Sequence, residues 1–454
     1  MGIFNALQTA VSGLQAQSFA LDNISGNIAN SQTAAYKRTD TSFADLVLGG
    51  NMNFRRQVSG SVQAFSRQTN DVGGVVQPST SGTSIAVNGS GFLIVASSLG
   101  ENNGVQNFSG DVYTRRGDFE FDRNGYLVNG AGYYLKGIAV DPVTGNRVGS
   151  TPEPIRLQND SYPAAKTDSI TYRANLPTIP QTTRYDAADP TSWLLDPGLT
   201  GNVTADQNTD FMATTIPGDA ITVYDSTGGA HDVQMRWGKV SNGDPTATPP
   251  TEDTWAMFYQ SDTGATGSET AWTRVPGDYK FDATGTLTTP AGGTTSITGM
   301  TLDGTLIGDM KIEHGTGLTQ YADSNGVAST KLISQNGNAA GTPQSVEIGD
   351  GGKVNVTYSN GKTRTLFEVP LVNFTAENRL AHLDGGAYAQ TVASGSPLTS
   401  DSGGSIVGSA IELSNVDIAD EFTKMIVTQQ AYSANTRVVS TADDMLQETL
   451  SMIR

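Results

Sequence analysis

Cysteine is absent from all 454 residues. That removes disulfide staples and thiolate metal sites, and it suits a protein that crosses redox compartments unfolded. Histidine is scarce: His231, His314 and His382 stand singly, with no histidine four residues on and no acidic neighbour at metal-binding spacing, so zinc has no visible scaffold. Basic residues number 27 against 45 acidic ones, for a net charge of −18. No basic run exceeds Lys37-Arg38 or Arg115-Arg116 in length, which argues against nucleic acid as a partner and leaves the acidity as a source of solubility. No apolar run approaches the roughly 18 residues of a membrane span, so no membrane insertion is expected. The opening Met1-Gly2-Ile3-Phe4-Asn5-Ala6 lacks a basic region, and Gln8, Gln15 and Gln17 interrupt the apolar residues after it, so no cleaved signal peptide is expected. Export would need a separate machine.

Catalytic patterns are also missing. Gly89-Ser90-Gly91 is followed by Phe92-Leu93-Ile94-Val95, a strand, where a phosphate-cradling loop needs a helix N-terminus. Asp122-Arg123-Asn124-Gly125 lacks the distal glutamate of a calcium loop and reads as a hairpin turn between Phe119-Glu120-Phe121 and Tyr126-Leu127-Val128. Ser226 and Asp232 lie near His231, but closeness in sequence does not make a triad. Carboxylate pairs are too common in an acidic β-rich chain to single one out. The expectation is a non-enzyme with no cofactor, no metal and no catalytic residue.

What the chain does have is a helical stripe at each end. Leu7, Leu14, Leu21 and Ile28 recur every seventh residue, with Ile3, Ala10 and Ile24 on the neighbouring row. Ile418, Met425, Tyr432, Val439, Leu446 and Ile453 do the same at the C-terminus, widened by Phe422, Val438, Met445 and Leu450. A seven-residue apolar period keeps one seam turned toward a partner helix. Two readings are open: the seams meet other chains, or they pack on the protein's own core. A lone two-helix hairpin buries too little to offset the ordering of both ends, which favours the first. Residues 4–30 form the first helix, with Asp22 its only charge, and 31–75 read as an irregular polar connector marked by Phe43, Phe54 and Phe65. The final helix, about 37 residues long, starts at Ser414-Asn415-Val416-Asp417, where a hydroxyl and a carboxylate supply the cap. Asp420 and Glu421 add negative charge near its positive end.

Between the ends, short alternating runs are closed by Asn-Gly turns at Asn88, Asn124, Asn129, Asn325, Asn336 and Asn360. A Pro-rich stretch (Pro177, Pro180, Pro190, Pro197) opens a region holding all four tryptophans, Trp193, Trp237, Trp255 and Trp272. The expected fold is mainly β with terminal α-helices: one all-β domain inserted in another, of sandwich or barrel form, plus a coiled-coil domain from the two ends. The expected divisions are 1–30 and 412–454 for the helical polymerisation domain, 31–75 and 400–411 for the connector, 76–172 and 317–399 for the β-domain, and 173–316 for the insert. The expected polymerisation interface is Leu7, Leu14, Leu21, Ile28, Ile418, Phe422, Met425, Tyr432, Val439, Leu446 and Ile453.

Gly26-Asn27-Ile28-Ala29-Asn30 followed by Thr33-Ala34-Ala35-Tyr36-Lys37 resembles the N-terminal signature of the bacterial flagellar rod and hook proteins. Ile411-Glu412-Leu413-Ser414-Asn415-Val416-Asp417, with Glu421-Phe422, Met425-Ile426 and Gln429-Gln430-Ala431-Tyr432-Ser433-Ala434-Asn435, is similar to the family's C-terminal signature. Val87-Asn88-Gly89-Ser90-Gly91-Phe92 and Tyr113-Thr114-Arg115-Arg116-Gly117-Asp118-Phe119 are similar to its β-domain. The motif residues carried over are Asn27, Asn30, Thr33, Tyr36, Lys37, Ser414, Asn415 and Asp417. Two positions depart: Ala35 stands where glycine is common, costing on the order of 1 kcal/mol if its φ is positive, and Gln430 stands where arginine is usual. The long insert, Val223-Tyr224-Asp225-Ser226-Thr227-Gly228 and Phe374-Thr375-Ala376-Glu377-Asn378-Arg379-Leu380 are similar to hook members, with the distal rod subunit as the alternative.

The resemblance implies a structural homopolymer in the extracellular hook of the flagellum, a flexible curved tube carrying torque from rod to filament. It implies rod, hook cap and hook-filament junction proteins as partners, and delivery by the type III export apparatus. A secreted β-rich enzyme or an adhesive binding module are the other function classes.

Overall fold

A computed structural model describes residues 3–45, 61–102, 105–142, 144–157, 161–244, 246–399 and 403–451. The chain forms two compact units, one of residues 1–160, 343–358 and 362–454, the other of 161–342 and 359–361.

The first unit is organised by Phe92–Asn102. Its opening Phe92, Leu93, Ile94 and Val95 are buried on both faces, which is why the run is continuously apolar instead of alternating. Leu93 and Val95 join a core with Ile85, Val87, Phe119, Leu127 and Leu135, while Phe92 and Ile94 join Tyr113, Phe374 and Tyr388 on the other side. The sheet runs Pro343–Ile348, Lys353–Tyr358, Thr363–Glu368, Tyr133–Ala139, Phe92–Asn102, Val112–Thr114, Ala387–Ala389, Ala381–Leu383. Strands from both halves of the sequence therefore share one sheet: Ile138 lies opposite Glu368, and Ala139 opposite Phe367. Asp122 closes the predicted turn, accepting from the backbone of Asn124 and Tyr126 at 2.8 Å each, with Gly125 in the left-handed region.

The described residues of 31–75 are not irregular throughout. Thr39–Asp45 pairs antiparallel with Val62–Gln68 from Thr39↔Gln68 to Asp45↔Val62. β-Branched and aromatic residues alternate with polar ones here, but no Asn-Gly turn marks the hairpin. Phe43 and Phe65 are exposed on it, and Phe54 lies outside the described residues. Most of 400–411 is strand as well: Gly404–Gly408 pairs with Ile85–Gly89, and Ala410–Glu412 with Val76–Pro78.

Two long helices complete this unit, α1 (Ile3–Ala29) and, after the seven-residue α2 (Asn208–Thr214) of the other unit, α3 (Ile418–Ser451). Asp417, not Ser414, caps α3: its carboxylate accepts from the backbone of Ala419 at 2.9 Å and Asp420 at 3.3 Å. Ser414 lies too far from the first turn and accepts only from Val416.

The second unit is two sheets and a cover. One sheet holds Ser169–Leu176, Thr294–Leu302, Thr305–Glu313, Thr319–Gln320 and Ser329–Gln335. The other centres on Ala230–Ser241 and Asp253–Gln260. Tyr172, Trp237, Trp255, Tyr279 and Met310 belong to one shared apolar core. A second cluster, in which α2 sets Phe211 against Phe258 and Trp272, contains the opposite face of Asp253–Gln260. The boundaries lie outside the expected 173 and 316. Ser169–Leu176 pairs with Ser329–Gln335 across Ile170↔Gln335 to Asn175↔Ser329, so both strands belong to this unit.

Candidate functional site: the junction of the two chain ends

α1 packs on α3 through small and polar groups. Its inward row is Ala10, Gly13, Ala16, Ala20, Ile24 and Asn27, and that of α3 is Glu421, Thr428 and Ala442. At Gly13 an added Cβ would lie 2.9 Å from Asn435 Nδ2, so the glycine permits a close crossing. Met425, Val439 and Leu446 of α3 are half-buried, and its other large apolar residues turn outward. Ile426 is 55% exposed, Val427 59% and Leu450 66%, and Phe422, Val438 and Met445 are exposed with them.

Below the helices both chain ends enter a polar junction. Asn27 accepts from the backbone of Thr39 at 2.9 Å and donates to Thr39 O and to Glu421 Oε2 at 3.0 Å each. Tyr36 donates its hydroxyl to Asn27 Oδ1 at 3.3 Å. The buried Glu421 also receives Lys424 at 2.6 Å. Asn415 Oδ1 accepts from Arg38 N at 2.8 Å, and its amide donates to Val72 O at 3.1 Å. Backbone bonds tie the ends directly: Ala35 N to Glu412 O at 2.8 Å, and Asn415 N to Tyr36 O at 3.2 Å.

At the centre lie four charges drawn from four segments. Lys37 Nζ meets Glu412 Oε1 at 2.5 Å and donates to Val72 O at 2.8 Å. Glu412 Oε1 also accepts from Gly74 N at 2.7 Å and lies 3.6 Å from Arg115 Nη1. Arg115 donates to Gly89 O at 2.9 Å and stacks on Phe92, 5.2 Å from the ring centroid. Lys37, Arg115 and Glu412 are 1–2% exposed. Burial pushes the Lys37 ammonium below the usual lysine range against the opposing pull of Glu412, and pushes Glu377 up against the pull of Arg115. Ala35 sits beside them, buried, at φ +55°, so the condition attached to its replacing glycine is met. This arrangement joins segments; it holds no nucleophile with a base, and among the described residues no metal-ligating cluster.

Three family models match: flagella basal body rod protein over residues 7–37, flagellar hook protein FlgE/F/G D1 domain over 86–171, and flagellar basal body rod FlgEFG protein C-terminal over 407–452. The flagellar hook protein FlgE of Salmonella typhimurium is 30% identical, covering 98% of each chain. The chain belongs to the flagellar hook protein family. The Rhizobium meliloti hook protein FlgE is 29% identical over the whole of both chains. A crystal structure of Helicobacter pylori flagellar hook protein FlgE2 covers 73% of this chain and 99% of its own, with 14% identity and a TM-score of 0.47. The chain is thus a structural hook subunit of the bacterial flagellum, and the rod reading has less support, since relatives spanning the full length are hook proteins.

The junction brings together Asn27, Tyr36, Lys37 and Asn415 directly, with Asp417 capping the adjoining helix. Asn30 and Thr33 instead form the turn that ends α1, Thr33 Oγ1 donating to Asn30 Oδ1 at 3.2 Å. Ser414 stays local. Among the seam residues, Leu7, Leu14, Leu21, Ile28, Met425, Val439 and Leu446 are half-buried, Ile418, Phe422 and Tyr432 are exposed, and Ile453 lies outside the described residues. Sequence reasoning named Glu412, Arg115, Glu377 and Glu421 only within motif stretches or as helix-end charge and did not single them out as a buried site. A charged residue that will be buried looks like any surface charge until its partner is known, and Lys37 and Glu412 are 375 residues apart.

Proposed function

We propose that this hook subunit polymerises through its terminal helices, residues 1–30 and 412–454, into a flexible curved tube that passes torque from rod to filament. Residues 31–75 and 400–411 link those helices to the β-domain, and the inserted unit decorates that domain as the part that lets neighbours slide. Rod, hook cap and hook-filament junction proteins are its partners, and the type III export apparatus delivers it outside the cell. It acts as a building element and not as an enzyme.

The supporting observation is α3, a 34-residue helix that leaves Phe422, Ile426, Val427, Val438, Met445 and Leu450 exposed while its inward row is Glu421, Thr428 and Ala442. One subunit cannot satisfy such a helix; neighbours can. Ile426→Asp is expected to abolish extracellular tubes seen by electron microscopy, because a buried unpaired charge costs several kcal/mol per subunit. The purified monomer should melt within a degree or two of the parent. Normal tubes from Ile426→Asp would show that this face is not between subunits.

A further inference from the structure

We propose that the Lys37–Glu412–Arg115 charge centre is a latch that couples the two terminal arms, so that the β-domain holds both or neither.

Each component comes from a different part of the chain. Lys37 follows α1, Val72 and Gly74 follow the hairpin, Arg115 follows Val112–Thr114, and Glu412 ends the strand leading to α3. Glu377, whose charge acts on both Lys37 and Arg115, stands on a fifth segment. The centre exists only when all are in place. If the N-terminal arm leaves, Glu412 loses its 2.5 Å ammonium and keeps only Arg115, 3.6 Å away. If the C-terminal arm leaves, Lys37 and Arg115 face each other with Glu377 as the remaining acid. Either half-open state strands a charge that is nearly fully buried, which is far costlier than opening both arms to water. Arg115 Nε and Nη1 and Glu412 Oε2 lack hydrogen-bond partners among the described residues even with both arms in place, so the centre has little satisfaction to lose before a buried charge is left exposed to the full desolvation cost.

The strain at Ala35 loads the same point. Its amide is bonded to Glu412 O while its backbone is left-handed, so the contact that joins the arms carries a conformational cost that glycine would not incur.

Hydrogen exchange on the full-length monomer tests the coupling. The reporters are Thr39 N–H, bonded to Asn27 Oδ1 within the N-terminal arm, and Glu421 N–H, bonded to Asp417 O within the C-terminal arm; neither bond spans the two arms. Lys37→Met should speed exchange at Glu421 at least tenfold, and Glu412→Gln should do the same at Thr39, while Phe92–Ala96 keep their protection. Ala35→Gly should slow exchange at both reporters by at least about fivefold, the factor that left-handed alanine costs. That variant carries the test if the charge variants do not fold. Effects confined to the arm that was changed, or a slowing at Thr39 alone in Ala35→Gly, would overturn the latch.

Discussion

The inserted unit and the helix α3 carry similar apolar residues and use them in opposite ways. In the insert, Tyr172, Trp237, Trp255 and Tyr279 are fully buried, closed inside a sandwich that completes its own core. In α3, Phe422 is 50% exposed and Val427 59%. A region that satisfies itself needs no partner, whereas one that does not calls for one. On the proposed reading, the contrast separates the part of a subunit that is carried by the polymer from the part that makes it.

Removing the insert puts the most strain on this contrast. Tyr162 N donates to Gly341 O at 2.7 Å, so the chain enters and leaves on paired, adjacent backbone segments. Replacing 162–341 by a short Gly/Ser bridge should leave the host sheet folded and tubes forming, with changed curvature or stiffness. A stable, exported variant that never polymerises would mean the insert supplies an essential contact.

A single deletion inside the sandwich comes next in size. Trp237→Ala removes a fully buried indole whose Nε1 donates to Tyr172 Oη at 3.1 Å, and should cost about 3–5 kcal/mol. All four tryptophans lie in the insert, so the fluorescence of the other three reports its melting separately. Loss of host-unit structure at the same temperature would show that the two units are not independent.

Acid should loosen the same unit by a slightly smaller amount. His314 is fully buried, 3.0 Å from Tyr172 O and 3.2 Å from Tyr279 Oη, and burial lowers its pKa from 6.5 to about 4. The unfolded chain binds the extra proton first, so stability is complete above pH 6.5 and falls as pH drops toward 4, by about 3 kcal/mol in all. His314→Gln should flatten this slope in urea melts read by tryptophan fluorescence; an unchanged slope would move the acid sensitivity to another group.

How far the sequence reveals these features depends on how local their causes are. The Asp122 turn and the long C-terminal helix arise from residues within a few positions of each other, and both are legible, whereas the sequence marks Ala35 as unusual without fixing its φ. The insert is recognisable from its tryptophans, but its edges are not. Ile170, Tyr172, Ala174 and Leu176 alternate as any half-buried strand does, and only pairing with Ser329–Gln335 assigns them. The hairpin of Thr39–Asp45 and Val62–Gln68 lacks a turn dipeptide, and the charge centre depends on Arg115 and Glu412 meeting Lys37 across most of the chain.

The smallest expected effect sharpens the view of α3 as a helix poorly supported within one subunit. Asp417 satisfies two of its free N-terminal amides and places a negative charge at the positive end of the dipole. Because only Glu421, Thr428 and Ala442 of α3 are fully buried, with Met425, Val439 and Leu446 half-buried, packing compensates only in part if that cap is lost. Asp417→Ala should therefore cost about 1 kcal/mol and show in the monomer as fraying of the first turn, with lost amide protection at Ala419 and Asp420. Neighbouring copies that pack on the exposed face would restore the helix once assembled, so tubes should still form but only at higher subunit concentration. Equal assembly thresholds for Asp417→Ala and the parent, despite frayed monomers, would mean that α3 is ordered by its neighbours and not beforehand.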